Sequence, residues 1–216
     1  IIIAQSPAGR CEELVKYGRF GYLWVESRGV RAMPTATTDD RRPSMTRSCC
    51  FIIPDRVLKK LRTQADAASQ IALDRSIRTA RTLRAHIMNA GKRPSPPSRI
   101  ANIRAFDAHQ SLSLPGTLVI DGRIVQPTAD DAAKQAVSNV AITRDFYQQV
   151  YRRYSIDGRG LQLDSSVHYG LGYDNAFWNG TEMIYGDGHV LHGFTEALDV
   201  IAHELTHGVT QYTVPP

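Results

Sequence analysis

The chain has 216 residues, enough for one large domain or two small ones, with a formal net charge of +5 at pH 7 and a sequence pI near 9.2. The excess is confined to one half: residues 1–98 carry 18 Lys+Arg against 8 Asp+Glu, and residues 99–216 carry 8 against 13. A basic chain invites a nucleic-acid partner, but these residues are dispersed without a nucleic-acid motif, so docking of the basic half onto the acidic half is preferred. Three cysteines, Cys11, Cys49 and Cys50, make no disulfide framework. No run of eighteen apolar residues is present, so no membrane span is expected.

The start, Ile1-Ile-Ile-Ala-Gln5, reads as neither an initiator methionine nor a convincing signal peptide. Residues 1–44 lack sustained periodicity and are expected to be a disordered leader or sequence upstream of a true start at Met45. From Cys49 the character changes. Cys50-Phe-Ile-Ile-Pro54 is a short extended stretch, and Val57, Leu58 and Leu61 mark a first helix. Ile71, Leu73, Ile77, Ala80, Leu83 and Ile87 mark a second, closed by Gly91. Arg75, Arg78, Arg81 and Arg84 run along it, as a solvated face or one turned toward the acidic half. Lys92-Arg-Pro-Ser-Pro-Pro-Ser98 is a proline-rich linker at the charge reversal, which sets a boundary near residue 98.

Beyond the linker, Ile103 to Phe106 and Gly116 to Ile120 read as strands, with Asp121-Gly122 turning into Arg123 to Val125. Thr128 to Asp131 resembles a capping box before a long helix expected to bury Ala133, Val137, Val140, Phe146 or Tyr147, Val150 and Tyr154. Asn179-Gly180, between Ala176-Phe-Trp178 and Met183-Ile-Tyr185, signals a hairpin with positive φ at both central residues.

The most informative stretch is Thr195 to Tyr212. Leu198, Ile201, Ala202, Leu205 and Val209 give it one apolar stripe at helical spacing. Within it, His203-Glu204-Leu205-Thr206-His207 sets two imidazoles at i and i+4, one above the other, where they can share a metal ion. Glu204 projects beside that ion, where a carboxylate can take a proton from an activated water molecule. Chance supplies roughly 0.006 such matches in a chain of this composition, so a core helix with two unrelated histidines is the weaker reading. A catalytic zinc takes three protein ligands and an open position. His189 and His192, and the thiolates of Cys49 or Cys50 as inhibitory ligands, are minor candidates for completing the site.

Ile201-Ala-His-Glu-Leu-Thr-His-Gly-Val-Thr210, with Asp199 ahead of it, resembles the active-site helix of the thermolysin family of zinc endopeptidases. Ser155-Ile-Asp-Gly-Arg-Gly-Leu161, Val167-His-Tyr-Gly170, Asp174-Asn-Ala-Phe-Trp-Asn-Gly180 and Met183-Ile-Tyr-Gly-Asp-Gly188 follow that family in order. The Cys50-to-Pro54 block and the Arg-rich helix resemble the short propeptide of protealysin-like members. The resemblance implies an α+β fold: a strand-rich sheet, a long helix and a zinc helix forming the N-terminal lobe (99–216), preceded by a small helical propeptide with linker (45–98). It implies zinc held by His203, His207 and a glutamate downstream of this chain, and Glu204 as catalytic base. It also implies Asp199 as a calcium ligand, and Asn175, Ala176 and Phe177 as the edge strand that binds a peptide or protein substrate by β-augmentation. The expected protein is a secreted zymogen with its own propeptide as a partner, inactive as this truncated chain, with neither nucleic acid nor membrane as partner. The rival is a non-catalytic β-hairpin binding or inhibitory module whose zinc helix is structural.

Overall fold

The computed structural model describes the strands Ile2–Gln5, Cys11–Tyr17 and Gly21–Trp24, and residues 51–87 and 101–213. The chain divides into two compact units, Ile1–Ser48 and Cys49–Pro216. In the first, within the stretch read above as a leader, β1 (Ile2–Gln5), β2 (Cys11–Tyr17) and β3 (Gly21–Trp24) pair antiparallel in that order. Cys49, Cys50, Gly91 and the proline-rich linker lie outside the described residues.

The second unit is α+β. Two helices, α1 (Asp55–Arg62) and α2 (Ala67–Ile87), precede β4 (Ile103–Asp107), β5 (Thr117–Asp121) and β6 (Ile124–Val125). A 21-residue helix, α3 (Asp131–Tyr151), leads to β7 (Leu163–Val167), β8 (Ala176–Trp178), β9 (Met183–Tyr185) and α4 (Leu198–Thr213). The six strands form one mixed sheet in the order β6-β5-β4-β7-β9-β8, with β7 parallel to both β4 and β9 and the other pairings antiparallel. β8 is therefore an edge.

From β4 to β8 both faces of the sheet are covered, whereas β6 is exposed. Ile103, Ala105, Leu163, Ala176, Trp178, Met183 and Tyr185 meet Ala133, Ala136 and Val140 of α3 and Ile201 and Leu205 of α4 in the main core. On the opposite face Tyr169, Tyr173, Phe177 and Ile184 pack with Phe51 and Ala80. Alternation along β8 explains why Phe177 faces one core while Ala176 and Trp178 face the other.

Three local expectations are corrected. The cap of α3 is Asp130, whose Oδ1 accepts from the Ala133 amide at 3.0 Å; Thr128 does not cap it. The buried stripe of α3 is Ala133, Ala136, Val140 and Thr143, while Phe146, Val150 and Tyr154 are exposed. Of Phe146 and Tyr147, the half-buried one is Tyr147, whose hydroxyl lies 2.8 Å from Thr206 Oγ1 of α4, and both rings meet Tyr151 edge-on or tilted. The β8–β9 connection is a four-residue loop in which only Gly180 has positive φ, because the Asn179 side chain accepts from the Thr181 and Glu182 amides and shapes the turn itself.

His168, which follows β7, fastens three elements. Its Nδ1 meets Asp187 Oδ1 at 2.6 Å and its Nε2 meets Asp130 Oδ2 at 2.9 Å, tying the end of β7 to the α3 cap and the loop after β9. The hydrogen bond to Asp187, then the charges of Asp187, Asp130 and Asp107, raise the imidazole to about 9 against desolvation. A raised histidine stabilises the fold fully below its free value of ~6.5, and that contribution is lost as pH rises through about 9. Denaturant unfolding should find His168→Gln weaker than wild type by about 1–2 kcal/mol near pH 6, allowing for the exposure of both carboxylates. The gap should close by about pH 10. A gap that does not change with pH would mean the contact is packing alone.

Candidate metal and peptide-binding site

α4 buries Ile201, His203, Glu204, Leu205 and Gly208, whereas Leu198 is largely exposed and Ala202 and Val209 are half-buried. The buried side therefore contains the two polar residues that free hydration would otherwise favour at the surface. The Nε2 atoms of His203 and His207 face each other at 3.0 Å. Two nitrogens bound to one tetrahedral zinc at ~2.0–2.1 Å sit about 3.3 Å apart, so the pair fits a shared ion. A Glu204 carboxylate oxygen completes a donor cluster whose atoms lie within 4.8 Å of one another. Burial lowers both histidines, His207 to about 4, with the neighbouring His203 adding to the effect. Both are neutral at physiological pH, the form in which imidazole offers a lone pair to a metal.

Glu204 is fully buried, and desolvation pushes its carboxyl well above the usual range, partly opposed by one backbone donor. That donor is the Trp178 amide, 2.7 Å from Oε2. Its Oε1 has no hydrogen-bond partner. A buried, orphaned carboxylate oxygen beside two converging imidazoles is what a site for water or a metal leaves behind when only protein atoms are counted.

The edge strand is occupied. Ile52 N–H donates to Ala176 O at 3.1 Å, and Phe51 forms an antiparallel bridge with Phe177. Asn175 grips the next residue from both sides: its Oδ1 accepts from Ile53 N–H and its Nδ2 donates to Ile53 O, each at 2.9 Å. The Phe51 ring lies 5.0 Å from that of Phe177, with the Arg84 guanidinium 4.7 Å from its centroid. Arg84 also binds Asp55 through two bonds of 2.7 and 2.9 Å, which hold that carboxyl below its usual value. Asn175, Ala176 and Phe177 thus bind residues 51–53 through backbone and amide groups, at one bridge followed by a bend, and the next residue along β8, Trp178, touches Glu204.

α2 adds two contacts of its own. The Ser76 hydroxyl accepts from the Asp174 amide at 2.9 Å, and Arg75 donates to Leu171 O at 2.9 Å. The Arg-rich face therefore does turn partly toward the acidic half.

A family model described as the thermolysin metallopeptidase catalytic domain matches residues 65–211. The chain belongs to the thermolysin family of metallopeptidases. One relative in that family is an extracellular metalloprotease of Pectobacterium carotovorum subsp. carotovorum, 37% identical over 174 residues, which are 77% of this chain and 48% of that protein. A thermostable neutral protease of Geobacillus stearothermophilus is 42% identical over 119 residues, 54% of this chain and 22% of that one. Among solved structures, the precursor of protealysin, a metalloproteinase from Serratia proteamaculans, superposes with a TM-score of 0.60 at 33% identity. That match covers 76% of this chain and 47% of its counterpart. The chain spans about half the length of these relatives or less.

Among the described residues of this thermolysin-family chain, His189, His192 and Asp199 are not in the donor cluster. His189 offers its backbone N–H to Asp174 Oδ1, which also accepts from Val190 and Leu191, and His192 Nδ1 lies 3.4 Å from Asp187 O. Asp199 is in the first turn of α4, where its charge acts on His203. Sequence reading missed the Trp178 amide, the Asn175 grip and the Ser76 contact. A backbone donor leaves no mark in the sequence, and Asn175 was visible only through the family motif.

The docking of residues 51–53 should depend on the Phe51 ring. Phe51→Ala removes a buried aromatic worth about 3 kcal/mol or more, so the Ile52 amide should exchange with solvent about a hundredfold faster. Hydrogen-exchange NMR or mass spectrometry reads this directly. Unchanged exchange would show that the Asn175 contacts and the packing of α1 and α2 hold the segment without that ring.

Proposed function

We propose that this chain is the precursor form of the N-terminal lobe of a zinc-dependent endopeptidase, with residues 45–98 as propeptide and linker and 99–216 as the lobe. The observation that carries the reading is the convergence of the His203 and His207 Nε2 atoms beside the orphaned Oε1 of buried Glu204. His203 and His207 would hold the zinc. When bound, the ion would supply Lewis-acid activation of water and of the scissile carbonyl.

The chain's own groups do the rest. Glu204 takes a proton from the attacking water and delivers it to the leaving amine nitrogen, a dual role suited to a carboxyl whose charge is disfavoured by burial. The edge of β8 aligns an extended peptide through Ala176 O and the Asn175 amide, so recognition is mainly of the main chain. Residues 51–53 use those same groups, which supports a self-inhibited form. By analogy with the extracellular relative, the protein acts outside the cell. Asp199 remains a proposed calcium ligand.

A purely structural zinc helix fits less well, because a structural zinc is closed by four ligands. Among the described residues only Glu204 joins the two histidines. Two ligands bind zinc weakly, and this chain alone is expected not to cleave peptides.

Titration calorimetry of the chain should show weak zinc binding that His203→Ala or His207→Ala abolishes and Glu204→Gln preserves. In a protein that also carries the third ligand implied by the family, Glu204→Gln should cut peptide hydrolysis by roughly 10²–10⁴-fold or more at unchanged zinc content. Full activity in that variant, or loss of zinc with activity, would refute the assigned role.

A further inference from the structure

Trp178 is seated on α4 at three points. Its backbone N–H donates to Glu204 Oε2 at 2.7 Å, and its Nε1–H donates to Gln211 Oε1 at 2.7 Å. Between them the indole lies against Gly208, where an added Cβ would stand 3.5 Å from Trp178 Cε2. Residues 204, 208 and 211 follow one another at steps of four and three, so they form one face of the helix. Gln211 also uses its other end: Nε2 donates to Gly180 O at 3.2 Å, in the β8–β9 loop. One half-buried side chain thus spans the indole and the turn that follows it.

We infer that Gln211 is a positioning residue for Glu204, holding Trp178 and the Gly180 carbonyl so that the Trp178 N–H stays on Oε2 and Oε1 remains the free oxygen. The inference rests on the proposed role of Glu204. β8 has three residues and is an edge strand, so sheet pairing anchors it on one side only. Its outer side is held by residues 51–53, a contact that a substrate would have to replace. Gln211 acts from the inner side and is independent of what occupies the edge. Glu204 in turn cannot exchange its amide donor for water without opening the core, since it is fully buried. The direction of one backbone N–H therefore sets which carboxylate oxygen is engaged, and that direction is fixed at the far end of the same tryptophan.

The test uses the full 216-residue chain, labelled with ¹⁵N, in wild type and three variants. Gln211→Leu keeps approximate volume and removes both bonds; Gln211→Glu keeps an acceptor for the indole but cannot donate to Gly180 O. Glu204→Leu, which has no acceptor, is the control for the Trp178 amide itself. In Gln211→Leu the Trp178 amide proton should move upfield and exchange at least about tenfold faster, while amides of β4 and β7 keep their protection. Gln211→Glu should restore most of the wild-type shift. If Gln211→Leu does not fold, Gln211→Asn, with the same groups one methylene short, should show the same upfield movement.

A Trp178 amide unmoved in Gln211→Leu, or in Gln211→Asn, would overturn the inference and leave Gln211 as a brace of the hairpin. An amide unmoved in Glu204→Leu would overturn it as well, because the bond to Oε2 would then be absent. Neither result touches the zinc and hydrolysis measurements that decide whether Glu204 is a base, so the two readings fail separately.

Discussion

The structure turns on a carboxyl group that has been removed from water and given a single protein hydrogen bond. Glu204 is wholly buried between α4 and β8, with the Trp178 amide on one oxygen and no partner on the other. Such a group is costly to bury unless something compensates it. The surroundings are organised around that cost. β8 must end where Trp178 can point its N–H inward, Gly208 must leave room for Ile156 beside the indole, and α4 must bring His203 and His207 to the same side. α3 sets the helix in place through Asn139 and Gln135, which bind the Thr195 carbonyl and hydroxyl just ahead of it.

Much of this was legible in the sequence because it is local. The i, i+4 histidines of α4 are written within five residues, and of its apolar stripe Ile201 and Leu205 are buried as the spacing implies, while Leu198 is exposed. α1 and α2 also fall where their periodicity sets them. Illegible were the contacts made by backbone atoms across long stretches of chain. The Trp178 amide reaches 26 residues, and Ile53 meets Asn175 across 122. Periodicity also overstates burial at the end of α3, since a repeating pattern shows which face could be buried and not how far along the helix its packing extends.

The helical hairpin of α1 and α2 belongs to the same packed unit as the sheet. Leu58, Leu73 and Ile77 enclose Val190 and Leu191 of the loop leading to α4, and Ser76 satisfies the Asp174 amide while the Asp174 carboxylate gathers three amides of that loop. The segment that occupies the edge strand is thus anchored by a second, independent set of contacts. The edge strand supplies mostly directional hydrogen bonds, and the hairpin supplies mostly buried apolar area.

This division of labour bears on how occupancy of the edge is reversed. Pairing on β8 uses main-chain groups, so under the proposed reading residues 51–53 and an incoming peptide would compete for the same few donors and acceptors. A segment tethered through a short connection, here the stretch between Ile87 and Ala101, competes at an effective concentration in the millimolar range. Cutting the tether changes none of the contacts. It changes the reference state from intramolecular to bimolecular, and dilution then favours release of the hairpin. Under the proposed reading, the sensitivity of the edge to its occupant is set as much by the covalent continuity of residues 88–100 as by any atom that touches β8.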